Sequence, residues 1–204
     1  MGPQLSYLAL GDSYTIGECV EEEASFPYQL KTLLTTRGFN LSDPVIIAKT
    51  GWTTGELTDA IKETHVKDQY DLVTLLIGVN NQYRGYPIDS YRVDFLSLLE
   101  QAISFSYNGK SNVVVLSIPD WGASPYGLNS NKNRDVISAE IDLFNNVNRE
   151  ISNSAGVKYV DITPISKRGL AEPDLLAEDG LHPSGKMYEE WVKVILSEIE
   201  KVLK

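Results

Sequence analysis

The chain has 204 residues, a formal charge of −10, and 42% hydrophobic and 23% charged residues. That size and balance suit one soluble globular domain over 1–204, with an interior large enough to fold without staples. The acidic excess argues against nucleic acid as a partner, and no apolar run approaches the roughly 18 residues of a membrane-spanning helix.

Cys19 is the single cysteine, so no internal disulfide forms, and its expected role is packing. No basic segment followed by an apolar stretch precedes the first strand, which makes the cytoplasm the expected compartment. That strand begins at Leu5 and breaks after Leu10 at Gly11-Asp12-Ser13. Residues 24–38 read as a helix, with Phe26, Leu30, Leu33 and Leu34 at three- and four-residue steps and Gly38 as its stop. A second strand over 44–48 ends in Lys49-Thr50-Gly51-Trp52. Thr53 or Thr54 then caps a helix carrying Leu57 and Ile61.

Residues 71–77 form the third strand, broken at Gly78-Val79-Asn80-Asn81. The helix expected over 89–106 places Val93, Leu96, Leu99 and Ile103 on its buried stripe. A fourth strand, 113–118, leads into Pro119-Asp120-Trp121-Gly122 and a polar loop over 122–134, long enough to suggest a role at the site. A helix over 137–154 and a short strand over 157–160 follow. The last helix buries Tyr188, Trp191, Val192, Ile195, Ile199 and Val202.

Five β-α units with apolar strands predict an α/β fold: a five-stranded parallel, flavodoxin-like sheet between two helical layers. Right-handed crossovers bring every strand's carboxyl end to one rim, where open α/β sheets bind ligands. Ser13, Gly51, Asn80 and the 179–182 loop therefore meet there.

Those residue types suit acyl transfer. A serine hydroxyl attacks only when a base in hydrogen-bond reach takes its proton. His182 can serve as that base, with Asp179 fixing its tautomer through the other ring nitrogen. His65, in a polar helix end, is expected at the surface. The Asn80 amide and the N–H groups of Ser13 and Gly51 supply donors for an oxyanion.

Gly11-Asp12-Ser13, Gly51, Gly78-x-Asn80 and Asp179-x-x-His182 resemble, in order and spacing, the four blocks of the SGNH, or GDSL-type, esterase and lipase superfamily. The resemblance runs from residue 11 to 182. It implies a three-layer α/β/α fold and metal-free, cofactor-free ester hydrolysis. It also implies Ser13 as nucleophile, His182 as base, Asp179 as its orienter, and Ser13, Gly51 and Asn80 as the oxyanion hole. Asn81 stands where the family pattern usually has Asp, and Tyr14 stands where a smaller aliphatic residue is common.

Expected substrate contacts come from rim loops: Asn81, Gln82, Tyr83, Arg84, Asp120, Trp121 and Tyr126, the aromatics for an acyl chain or sugar ring and Arg84 for a negative group. The expected function is hydrolysis of small soluble esters, with short-chain acyl groups or acetylated carbohydrate as substrates, through an acyl-enzyme. Two rivals are an acyltransferase or thioesterase using the same residues and a non-catalytic flavodoxin-like binding module. The latter leaves the Asp179–His182 pair without a purpose.

Overall fold

Each apolar run becomes a strand of one parallel sheet. In the computed structural model, which describes residues 3–64, 66 and 69–203, the strands are β1 (Tyr7–Asp12), β2 (Val45–Lys49), β3 (Leu72–Leu76), β4 (Val113–Leu116) and β5 (Lys158–Val160). Their order across the sheet is β2-β1-β3-β4-β5, all parallel. β1, β3 and β4 are buried along their whole length, as central strands covered on both faces must be.

The helices are α1 (Ser13–Ile16), α2 (Phe26–Thr36), α3 (Thr54–Thr64), α4 (Val79–Tyr83), α5 (Ile88–Ser104), α6 (Pro125–Asn129), α7 (Arg134–Ala155), α8 (Thr163–Ser166) and α9 (Gly185–Val202). The chain crosses one way from β1 to β2 and the other way from β2 to β5. Right-handed crossovers therefore put α2 on one face of the sheet and α3, α5 and α7 on the other. The packing agrees: α2 lies against α9, and α5 touches both α3 and α7.

An aromatic cluster locks the first pair. The Trp191 ring stands 5.0 Å from Tyr188 and 6.3 Å from Phe26, all three fully buried. Such ring pairs contribute about 0.5–1.5 kcal/mol beyond their area. On the opposite face Tyr91 packs 4.4 Å from Phe144 and donates its hydroxyl to Asn148 Oδ1 at 2.8 Å.

That contact explains a misread helix. The buried side of α5 carries Tyr91, Phe95, Leu98, Leu99 and Ala102, whereas Val93 and Leu96 are 67% and 43% exposed. Two stripes of apolar residues compete at helical spacing. The one holding both aromatic rings fills the larger volume against α7, so it faces inward.

Residues 122–134 are also more ordered than a loop. A 3₁₀ turn at Trp121–Ala123 leads into α6, whose Ser124 cap accepts from Gly127 N at 3.0 Å. α7 starts earlier than expected because Asn133 caps it, accepting from Asp135 N at 2.8 Å. His65 lies outside the described residues. Among the described residues, no helix is long and apolar enough to cross a membrane.

Candidate active site

The order reverses about β1, which has β2 on one side and β3 on the other, so the crevice opens where β1 and β3 end. β1 runs two residues further than the apolar pattern suggested, through Gly11 and Asp12. Glycine is obligatory at position 11: a Cβ there would lie 2.0 Å from Thr15 Oγ1 and 2.5 Å from the Leu76 carbonyl. Its absence lets α1 fold back over the strand end.

Asp12 caps that turn, accepting from Tyr14 N at 3.0 Å, and Ser13 becomes the first residue of α1. Asp12 is fully buried and its Oδ2 has no hydrogen-bond partner among the described residues. Burial pushes its carboxyl up to about 7, although the bond from the Tyr14 amide opposes the shift. None of this is visible in the tripeptide itself.

The second half of the site folds on itself. Asp179 Oδ1 accepts from the backbone N–H of Leu181 (2.9 Å) and His182 (3.0 Å), while Oδ2 meets His182 Nδ1 at 2.5 Å. Ala177 N donates to the His182 carbonyl at 2.8 Å, which fixes the loop base. His182 Nε2 then stands 3.0 Å from Ser13 Oγ. The Tyr14 ring, 5.7 Å from the imidazole, packs beside it and is itself backed by Trp191. The larger residue after the serine is thus a wall for the histidine.

Desolvation works to raise the Asp179 carboxyl. The hydrogen bonds from the His182 ring and the two backbone amides outweigh it and hold the group below the usual carboxylate range. An ionised carboxylate at Nδ1 keeps the proton on that nitrogen and leaves the Nε2 lone pair for Ser13.

Ser13, Gly51, Asn80 and His182 line one cavity of ≈ 180 Å³. The Ser13 N–H belongs to the first turn of α1, where no intrahelical acceptor exists. Gly51 adopts φ 85°, a left-handed conformation that favours glycine. Its carbonyl accepts from Arg84 Nη2 at 2.6 Å, and Arg84 also pairs with Glu56 at 3.2 Å. Asn80 Nδ2 donates one hydrogen to the Trp52 carbonyl at 3.0 Å, which orients the amide.

Tyr83, Trp121 and Tyr126 also line this cavity, as expected for substrate contacts. The hydroxyls of Tyr83 and Tyr126 lie 2.9 Å apart. Arg84 does not line it; its guanidinium is spent on Glu56 and the Gly51 carbonyl.

Asn81 is a second correction. It is fully buried, accepting from Thr54 N (3.1 Å) and donating to Thr54 Oγ1 (2.9 Å), so it ties α4 to the start of α3. Donating and accepting at once is something an amide does and an ionised carboxylate does not. Gln82 and Asp120 are likewise buried and committed, Gln82 to Trp121 Nε1 and Glu140, Asp120 to Gly122 N.

Thr50, Val79 and Leu181, each next in the chain to an expected site residue, also wall the cavity. Cys19 is exposed, not packed as expected.

Residues 9–190 match the GDSL-like lipase/acylhydrolase family. A multidomain esterase of Ruminococcus flavefaciens is 33% identical over 138 residues, 66% of this chain and 16% of that protein. The chain therefore spans about a sixth of the curated relative it matches. Among solved structures, a lipase/acylhydrolase from Enterococcus faecalis aligns with TM-score 0.77 at 19% identity, covering 98% of this chain and 97% of the other. An acetylxylan esterase from Geobacillus stearothermophilus aligns with TM-score 0.73 at 20% identity, covering 96% and 94%. These structural likenesses establish the shared fold. The family match, over a chain whose serine, imidazole and carboxylate stand in line, makes this protein a member of the GDSL-like lipase/acylhydrolase family.

Proposed function

We propose that the chain hydrolyses short-chain acyl esters of small polar alcohols, acetylated carbohydrate among them, through an acyl-enzyme on Ser13. The observation that carries the reading is the 3.0 Å approach of His182 Nε2 to Ser13 Oγ, with Asp179 bound to the other ring nitrogen. His182 takes the hydroxyl proton as Ser13 attacks the ester carbonyl, and Asp179 stabilises the imidazolium. The N–H groups of Ser13 and Gly51 and the Asn80 amide receive the oxyanion, each donor contributing about 10²–10³ in rate. His182 then returns the proton to the leaving alcohol and activates the water that releases the acyl group.

The size preference rests on the cavity. A volume of ≈ 180 Å³ at Ser13 is below the range of about 300–1,000 Å³ typical of drug-sized ligands, so a short acyl group suits it. A second cavity of ≈ 550 Å³ shares Tyr83, Trp121 and Tyr126 with the first and adds the polar Asn129, Ser130 and Asn131. Exposed tyrosine faces beside hydroxyl and amide groups suit the alcohol half of a carbohydrate ester.

A panel of p-nitrophenyl esters of increasing chain length, run beside acetylated sugars, tests this reading. The expected result is a maximum kcat/KM at acetate to butyrate, with acetate released from the sugars and no turnover by Ser13→Ala. A maximum at long chains would overturn the size preference. Product analysis with an added acceptor alcohol distinguishes hydrolysis from transfer.

A further inference from the structure

Three metal-ligating groups converge on the outer side of the catalytic line. The Cys19 Sγ, a carboxylate oxygen of Asp179 and a ring nitrogen of His182 all lie within 4.8 Å of one another. Cys19 and Asp179 are both exposed, so an ion can reach them from solvent, while His182 is buried. Cys19 holds φ 65°, the only non-glycine residue at positive φ among the described residues. Glu18 and Glu178 add negative charge around the thiol.

Thiolate, imidazole and carboxylate are the donor set that zinc takes, with four ligands in a tetrahedron. Bond lengths of about 2.0–2.3 Å place neighbouring ligand atoms roughly 3.3–3.7 Å apart. Closing 4.8 Å to that range takes a shift of about 1 Å in an exposed turn, within reach of side-chain rotation. The tight pair moves the other way: the 2.5 Å between Asp179 Oδ2 and His182 Nδ1 must widen to about 3.3 Å to admit an ion.

We infer that Cys19, Asp179 and His182 form an inhibitory site for a thiophilic divalent cation such as Zn²⁺ or Cd²⁺, with water as the fourth ligand. The ion bonds to Sγ, to a carboxylate oxygen of Asp179 and to Nδ1, the ring nitrogen that faces Asp179. The Cys19 thiol releases its proton to solvent. The imidazole proton leaves Nδ1 and reappears on Nε2, so the ring stays neutral. The thiolate and carboxylate together balance the charge of the ion, and nothing is oxidised or reduced. With a hydrogen on Nε2, His182 has no lone pair for Ser13, and the serine loses its base.

Without an ion, desolvation and the neighbouring carboxylates of Asp179, Glu18 and Glu178 hold the Cys19 thiol above its ordinary value, so it stays protonated. The inhibition rests on the esterase reading above; the binding does not.

The test therefore has two readouts. Titration of the substrate-free protein with Cd²⁺ should give a saturable thiolate-to-cadmium absorption band in the ultraviolet, absent from Cys19→Ser and Cys19→Gly. In parallel, Zn²⁺ should inhibit p-nitrophenyl acetate hydrolysis reversibly on addition of EDTA. Both variants should raise the half-inhibitory concentration at least tenfold while keeping the metal-free rate within about twofold. Glycine accepts the left-handed turn, so Cys19→Gly guards against loss of fold. A missing Cd²⁺ band, or equal Zn²⁺ inhibition of wild type and both variants, would overturn the site. A band in a protein that hydrolyses no ester would leave the site standing and sink the esterase reading instead.

Discussion

The carboxyl end of β1 and the 179–182 loop each hold an aspartate next to one partner of the histidine–serine contact, Asp12 beside Ser13 in the chain and Asp179 on the His182 ring, and they treat it oppositely. Asp12 is fully buried with one oxygen unpartnered among the described residues, and burial pushes it up to about 7. Asp179 is partly exposed and receives two backbone N–H bonds and the imidazole, which together hold it below the usual range. Neighbouring donors decide which carboxylate is charged, and charge decides the task. Asp12 shapes the turn that presents Ser13; Asp179 sets a carboxylate against the His182 ring nitrogen, where in the proposed mechanism it offsets an imidazolium.

The largest expected effect breaks the comparison at its charged end. Asp179→Asn should lower kcat by roughly 10³–10⁴, because an amide can stabilise the wrong tautomer and cannot offset the imidazolium charge. Asp12→Asn, which keeps an oxygen for the Tyr14 amide, should leave kcat within about tenfold. Steady-state rates on one short-chain ester decide the matter; equal losses in the two variants would erase the distinction.

The next effect is on stability. For Asp12 the folded-state value of about 7 lies above the ordinary value of 3.8, so between them the folded chain keeps a proton that the unfolded chain has released. Stability should fall as pH rises through that window and level off above it, by no more than about 4 kcal/mol. Asp179 acts with the opposite sign: its folded value is depressed, so its contribution is present above the unfolded value and is lost as pH falls through the folded one. Urea melts from pH 4 to 8 should show the decline in wild type and a flatter curve in Asp12→Asn.

Two smaller effects sharpen the roles of residues first assigned to substrate. Asn81→Leu strands the Thr54 amide and hydroxyl inside the protein and should cost about 1–3 kcal/mol in denaturant melts, with KM nearly unchanged. Arg84→Met releases the Gly51 carbonyl and should lower kcat about tenfold, chiefly by loosening one oxyanion donor, worth about 1.4 kcal/mol. A rise in KM alone would instead return Arg84 to the substrate.

The parallel sheet, its two helical layers and the convergence of Ser13, Gly51, Asn80, Asp179 and His182 were legible because they depend on period, glycine breaks and crossover handedness. These features are local in sequence, and topology carries them to one rim. What was not legible depends on volume and pairing across the fold. The buried face of α5 was settled by Tyr91 and Phe95 against α7. Asn81 and Arg84 look like rim residues in the chain, yet their partners, Thr54 and Glu56, lie almost thirty positions away. Cys19 offered no signal of its nearness to Asp179, 160 positions later.

Covalent trapping tests the central claim most directly: a proton-passing line through Asp179 and His182 makes the Ser13 oxygen a nucleophile. With a fluorophosphonate and mass mapping of the adduct, the wild-type protein should carry one modification, on Ser13, formed at least a hundredfold faster than in His182→Asn. Ser13→Ala should take up none. Labelling of Ser13→Ala at the wild-type rate, with ester turnover preserved, would contradict the account.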